Sequence, residues 1–173
     1  MTAVEEFRRA KDHMFLHDPE TPIPAEQRDK FSGLSYFPPA PDFVIDGQVE
    51  PPPEAGELRM PTSTGDEVTY QRYGVVRFSV DGTPAQLTLF GVEGERDLFV
   101  PFRDATSGNE TYGAGRYLEV ARPHDDHIEL DFNYAYNPYC AYSEAYSCPL
   151  PPLENWLKVP IRAGEKLYEA GAH

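Results

Sequence analysis

Apolar side chains recur at every second position in a series of short runs along the C-terminal two thirds of the chain. Val76, Phe78 and Val80 alternate with Arg77 and Ser79, Leu87 and Leu89 flank Thr88, and Leu98, Val100 and Phe102 form a third run. Leu118 and Val120 alternate with Tyr117 and Glu119, and Ile128, Leu130 and Phe132 with Glu129, Asp131 and Asn133. A period of two marks strands with one buried face. A further short strand is expected near 43–50, and Leu157 to Ile161 offers a last one. The pattern changes at the N-terminus, where Val4, Phe7, Ala10 or Lys11, and Met14 recur at helical spacing. Thr2 followed by Glu5 fits a capping box, and Asp18-Pro19 cannot continue a helix, so one amphipathic helix is expected over 3–17.

These elements predict a single domain over 1–173: helix 3–17, a Pro-rich connector 19–56, and a β region 57–162. The connector holds Pro clusters at 38–41 and 51–53, yet Phe31, Tyr36 and Phe37 give it apolar anchors, so it does not read as a domain linker. Asp81-Gly82 is a hairpin turn signal. Consecutive short strands joined by tight turns make the fold mainly β, an antiparallel meander. Closure removes edges, so a barrel or barrel-like sheet is expected rather than a flat one. Matching the apolar stripes of the last hairpin sets Leu118 and Val120 opposite Ile128, Leu130 and Phe132. Tyr117, Glu119, Asp131 and Asn133 then share the other face, and Arg116 stands near Asp131.

Composition narrows the function classes. The chain has 173 residues, with 29 Asp and Glu against 15 Lys and Arg, for a formal charge of −14. That surface suits neither nucleic acid nor an anionic membrane, because both need Lys and Arg. No apolar run reaches the ~20 residues of a membrane helix, and the start lacks the features of a signal peptide, so a soluble cytoplasmic protein is expected. Arg outnumbers Lys eleven to four. A Lys-poor acidic surface fits a halophilic source, and a GC-rich genome would favour Arg as well.

Two segments are too rich in polar and aromatic groups for ordinary turns. The first, 102–117, carries Arg103, Asp104, Thr106, Ser107, Glu110, Tyr112 and Arg116. Its hydroxyls, its backbone N–H groups and its two guanidinium groups are suited to an anion or carboxylate. Locking of the loop by Arg103–Asp104 or Arg116–Glu110 pairs is the structural alternative. The second, 131–148, carries Asp131, Asn133, Tyr136, Asn137 and Tyr142, with five Tyr between 134 and 146. Tyr rings give rigid amphipathic area for a planar or sugar-like ligand, or pin a long loop to its own body. An aromatic patch at Tyr139–Tyr146 equally suits a dimer contact, so oligomeric state stays open.

Other chemistry is sparse. Cys140 and Cys148 match no zinc module and are expected as reduced, partly buried thiols, with a disulfide or shared metal as alternatives. Zinc held by His124, His127, Cys140 and Cys148 would have the right ligands at unsuitable spacing. No metal is expected, and nucleophilic catalysis by Cys140 would need a His base, whereas the histidines, at 13, 17, 124, 127 and 173, fall outside both dense segments. Phosphate-loop, nucleophile-elbow and dinucleotide fingerprints are missing, and no cofactor is named by the sequence. Acid–base chemistry through Asp104, Glu110 or Asp131 remains a possible use of the carboxylates.

Phe31–Phe37, Arg103–Tyr112, Gly115-Arg116-Tyr117, Asp131–Asn133, Ala135–Tyr142, Ser147–Pro152 with Glu154-Asn155, and Ala163–Lys166 together resemble the bacterial and archaeal family called domain of unknown function 1684. The resemblance runs from the first helix to Lys166. It implies no activity, because none is attached to that family, and it supplies no catalytic residue. The expectation is therefore a small-ligand-binding β protein whose polar, aromatic pocket is built from residues 102–117 and 131–148. An enzyme using the same carboxylates, or an interaction module without a ligand, are the alternatives.

Overall fold

The computed structural model describes residues 2–168; Met1 and residues 169–173, His173 and the expected domain end among them, lie outside that range. Helix α1 (Ala3–His17) starts where the cap predicts: the Thr2 hydroxyl accepts the Glu5 N–H at 3.2 Å. The Asp18 N–H donates to Met14 O at 2.8 Å and closes the last turn.

The face that α1 turns inward is not the predicted one. Phe7 and Met14 are 44% and 42% exposed, whereas Arg8, Lys11 and Asp12 are half-buried and Phe15 is buried. These inward residues recur at helical spacing, but three of the four are charged. They dock the helix by specific bonds. Arg8 Nη1 donates to Phe37 O at 2.7 Å, and Asp12 Oδ1 accepts from Leu34 N at 3.0 Å and from the Tyr36 hydroxyl at 3.1 Å. Hydrophobic spacing fails here because the receiving surface is polar.

Seven strands follow: β1 (Val44–Glu50), β2 (Glu57–Pro61), β3 (Glu67–Val80), β4 (Thr83–Gly91), β5 (Asp97–Phe102), β6 (Arg116–Ala121) and β7 (His127–Asp131). All are antiparallel, in the order β6-β5-β4-β3-β1-β7, with β2 also on β3. The sheet is nearly closed into a barrel. The β3–β4 turn is Asp81-Gly82 with φ of 49° and 80°, the mirror-image geometry that matches strand twist.

Two expectations about pairing are corrected. β7 does not pair with β6; it pairs with β1, from Val44–Asp131 to Gln48–His127. The edge of β6 is taken instead by Tyr136, which exchanges two backbone hydrogen bonds with Tyr117 at 2.8 and 2.9 Å. Residues 157–161 form no strand. Leu157 and Ala105 make backbone bonds between that segment and 103–105, but Pro160 has no N–H to donate, and the Ile161 N–H meets the Asp104 carboxylate at 2.6 Å.

The interior is solid. Val76, Leu87, Leu89, Leu98, Val100, Phe102, Leu118, Leu130, Phe132 and Ile161 pack there, each 2% exposed or less. A barrel of this size is filled by its own side chains. Among the described residues no helix is long and apolar enough to cross a membrane.

Candidate functional site

The loop from 102 to 117 closes on itself and on the C-terminal segment. Asp104 is buried and accepts from the Thr106 hydroxyl at 2.8 Å, the Ser107 hydroxyl at 3.3 Å and Ile161 N at 2.6 Å. Thr106 also shares a hydroxyl contact with Thr111 at 3.0 Å. Arg116 is 1% exposed. Its Nη1 donates to Ala163 O at 2.5 Å and Glu165 O at 3.1 Å, and its Nη2 to Ile161 O at 2.8 Å, 3.7 Å from Asp104 Oδ2. Burial lowers the Arg116 pKa, and the Asp104 and Glu165 carboxylates work against that. The Thr106 and Ser107 hydroxyls and the Arg116 guanidinium, all expected to hold an anion, thus donate to protein groups.

Other expected residues are similarly placed in packing roles. The Arg103 guanidinium stacks 4.3 Å over Trp156. Glu110 pairs with Arg162 at 3.2 Å on the surface, so the expected Arg103–Asp104 and Arg116–Glu110 pairs give way to Arg116–Asp104 and Arg162–Glu110. Asp131 is not beside Arg116; it caps a tight turn by accepting from Asn133 N at 3.0 Å and Asn133 Nδ2 at 2.9 Å. Asn133 in turn bonds both the N–H and the C=O of Ala40, at 2.8 and 3.0 Å. No hydrogen bond or ion pair among the described residues joins any two of Asp104, Glu110 and Asp131.

Glu165, expected only as part of the family-like segment Ala163–Lys166 and not among the candidate site residues, is the hub of a second buried cluster. Its carboxylate accepts Asn137 N at 2.9 Å and the Tyr142 hydroxyl at 3.0 Å, and it pairs with Lys11 of α1. Burial, and then the Glu165 charge, push the Tyr142 phenol up. Asn137 Nδ2 adds Lys166 O at 3.1 Å. A lone Glu between Gly and Lys carries no local signal of burial; only its contact with the helix, 154 positions away, defines it.

The outer face of β5 and β6 carries the opening of most interest. Tyr70, Phe99, Tyr117 and Tyr136 form a row of rings with centroid separations of 5.3, 4.7 and 5.7 Å. They line a cleft of about 310 Å³ together with Glu95, Asp97 and Glu119. No Lys, Arg or His among the described residues lines it. The Tyr136 hydroxyl donates to Glu119 Oε1; burial, and then that carboxylate, push the phenol up. Arg96 lies 3.8 Å from Asp97 but is 93% exposed, too solvated to neutralise the cleft. The alternation that places Leu98, Val100, Leu118 and Val120 inward assigns Phe99, Tyr117 and Glu119 outward. Tyr117 and Glu119 were legible in that way. Tyr70 and Phe99 come from strands whose relation to Tyr136 the sequence does not state.

Cys140 and Cys148 lie behind this row, packed against Tyr117, with Tyr112, Tyr136 and Tyr146 around them. His124 and His127 are exposed in and beside the β6–β7 turn. Among the described residues, no group of three or more His, Cys, Asp or Glu is arranged to hold a metal ion.

The family described as protein of unknown function (DUF1684) matches residues 29–166 of the chain. A solution NMR structure of an uncharacterised protein from Haloarcula marismortui is 42% identical, with a TM-score of 0.70, covering 94% of this chain and 91% of that one. No curated protein matches.

Proposed function

The chain belongs to the DUF1684 family, which lends it no activity, and we propose from its own surface that it binds a small organic cation in the cleft beside β5 and β6. The observation that carries this reading is the pairing of four aromatic rings with three carboxylates in a cleft whose lining, among the described residues, holds no Lys, Arg or His; Lys11 Nζ stands 5.1 Å from the Tyr136 ring centre, and Arg122 is held at the edge by Val92 O and Glu95 O. An aromatic face attracts a cation through its quadrupole, by about 0.5–2 kcal/mol per ring depending on desolvation. The carboxylates add charge attraction, and the chain's net −14 favours approach of cations at low ionic strength. An anion would meet the three carboxylates there. The cleft draws Tyr117 from residues 102–117 and Tyr136 from residues 131–148, so it keeps one residue from each of the two dense segments. Acid–base catalysis by Asp104, Glu110 or Asp131 finds less support, because the three are committed to separate contacts.

Choline, tetramethylammonium and the neutral choline isostere 3,3-dimethylbutanol test the proposal by NMR titration. The two cations are expected to shift the aromatic resonances of Phe99, Tyr117 and Tyr136, and the isostere to bind at least about tenfold more weakly, the loss of ~1.4 kcal/mol. Phe99→Leu and Glu119→Gln are each expected to weaken the cations selectively. Equal binding of cation and isostere, or no response at these rings, overturns the proposal. Native mass spectrometry of protein purified without added ligand would identify a retained molecule.

A further inference from the structure

We propose that Cys140 and Cys148 form a thiol–disulfide exchange site, in which Cys140 attacks a small disulfide and Cys148 resolves the adduct. The two residues come from separate, fixed segments. Cys140 sits in the tight turn Tyr139–Ala141, whose ends are tied by Ala141 N to Pro138 O at 2.9 Å and Tyr142 N to Tyr139 O at 3.0 Å. Cys148 is anchored to the loop after β2: its N–H donates to the Ser63 hydroxyl at 3.0 Å, and Ser63 N donates to its C=O at 2.9 Å. This brings the Cys148 sulfur to 3.3 Å from the Cys140 N–H. Both are unbridged thiols, 6% and 7% exposed.

Their surroundings make the two sulfurs unequal. The Tyr112 hydroxyl donates to Cys140 Sγ at 3.7 Å. The neighbouring Cys148 thiol above all pulls the Cys140 thiol down to about 6, against its burial. The same contact, and then burial, push Cys148 up. A thiolate is the nucleophile in exchange, and a thiol held in reserve beside it is what resolution needs. The two sulfurs differ in the donor each accepts: Cys140 Sγ takes the Tyr112 hydroxyl, and Cys148 Sγ takes the Cys140 N–H.

The chemistry balances without a cofactor. The Cys140 thiolate attacks one sulfur of a disulfide RSSR, forming the mixed disulfide and releasing RS⁻. The Cys148 thiol gives its proton to that leaving thiolate and attacks Cys140 Sγ, expelling the second RS⁻, which takes up a proton from water. Two protein thiols are oxidised to one disulfide, and one RSSR is reduced to two RSH.

Reduced full-length protein is exposed to oxidised glutathione, quenched with a thiol alkylator and weighed intact. The native protein is expected to lose both alkylatable thiols and regain them with reductant. Cys148→Ser is expected to trap one glutathione on Cys140, while Cys140→Ser acquires none on the same timescale. Limiting iodoacetamide on the wild type, followed by peptide mapping, adds a readout independent of variant folding: Cys140 is expected to react more than about tenfold faster than Cys148. Native protein that keeps both thiols through the exposure, or equal labelling of the two cysteines, overturns the proposal.

Discussion

Replacing Arg116 with alanine deletes a guanidinium that nothing else in the fold can replace. The side chain and its partner Asp104 are both fully shielded from water. The variant leaves the Asp104 carboxylate without its cation and three carbonyls, of Ile161, Ala163 and Glu165, without their donor. Breaking a buried pair by removing one member costs about 3–5 kcal/mol. Each stranded carbonyl alone would add about 1–3 kcal/mol, but water entering the vacated space answers part of that, so the sum is not additive. The working figure stays at about 3–5 kcal/mol, against a total stability of roughly 5–15 kcal/mol. For a chain of this length that lowers the melting temperature by roughly 6–20 °C. Arg116→Lys keeps the charge near Asp104 and loses the planar fork, so it is expected to retain about half the difference. Equilibrium urea unfolding with an unchanged m-value is the measurement. A loss below about 1 kcal/mol for alanine, or equal losses for alanine and lysine, refutes the structural role given to the fork.

Three further outcomes follow from local geometry. Gly164 has φ +82°, and a Cβ there would stand 2.7 Å from the carbonyl oxygens of both Phe132 and Ala135. Gly164→Ala is expected to cost well beyond the ~1–2 kcal/mol of the left-handed conformation itself. Gly65→Ala, at φ +93° with open space, measures that conformational part alone by thermal unfolding. Burial raises the Glu154 pKa, but hydrogen bonds from Arg72 and Thr88 outweigh it and leave the carboxyl lowered. Its contribution is therefore present above the unfolded pKa near ~4.3 and lost as pH falls through the lower folded value. The urea midpoints of wild type and Arg72→Gln should converge below about pH 4. Finally, 29 acidic against 15 basic residues repel one another at low salt. Raising KCl from about 0.01 to 1 M shortens the screening length from ~30 to ~3 Å, and the melting temperature should rise; a fall would refute it.

The barrel was legible because strand alternation is a local signal: Leu98, Val100 and Leu118 need no knowledge of their partners to be assigned inward. The helix was legible from Thr2 and Pro19 for the same reason. What failed was non-local. Pairing of β7 with β1 joins His127 to Gln48 across the whole meander, and no turn residue encodes it. The expected stripe reached Val4 and Lys11, both half-buried, but it missed Arg8 and Asp12, whose partners Phe37 and Leu34 lie far along the chain. Asn155 shows how a side chain can imitate a strand: it bonds Thr88 N, Thr88 O and Pro101 O at 2.8–2.9 Å and is fully buried. The density of the two segments 102–117 and 131–148 goes largely into contacts that close the loops, with Tyr117 and Tyr136 reaching the cleft.

The Arg116 fork also sets the order in which the protein can be completed on the ribosome. Its acceptors at Ile161, Ala163 and Glu165 are 45, 47 and 49 residues downstream. At a synthesis rate of roughly 5–20 residues per second, Arg116 exists for about 2–10 s before Glu165 is even made. During that interval the guanidinium has Asp104 as a partner but none of its three carbonyl acceptors. The barrel's mouth at β6 cannot shut until the tail arrives. Lys11 waits longer still, since its partner is the same late residue. The last dozen described residues thus act as the closing stitch of translation, and a transcript cut short before residue 161 would release a chain that is open at both ends.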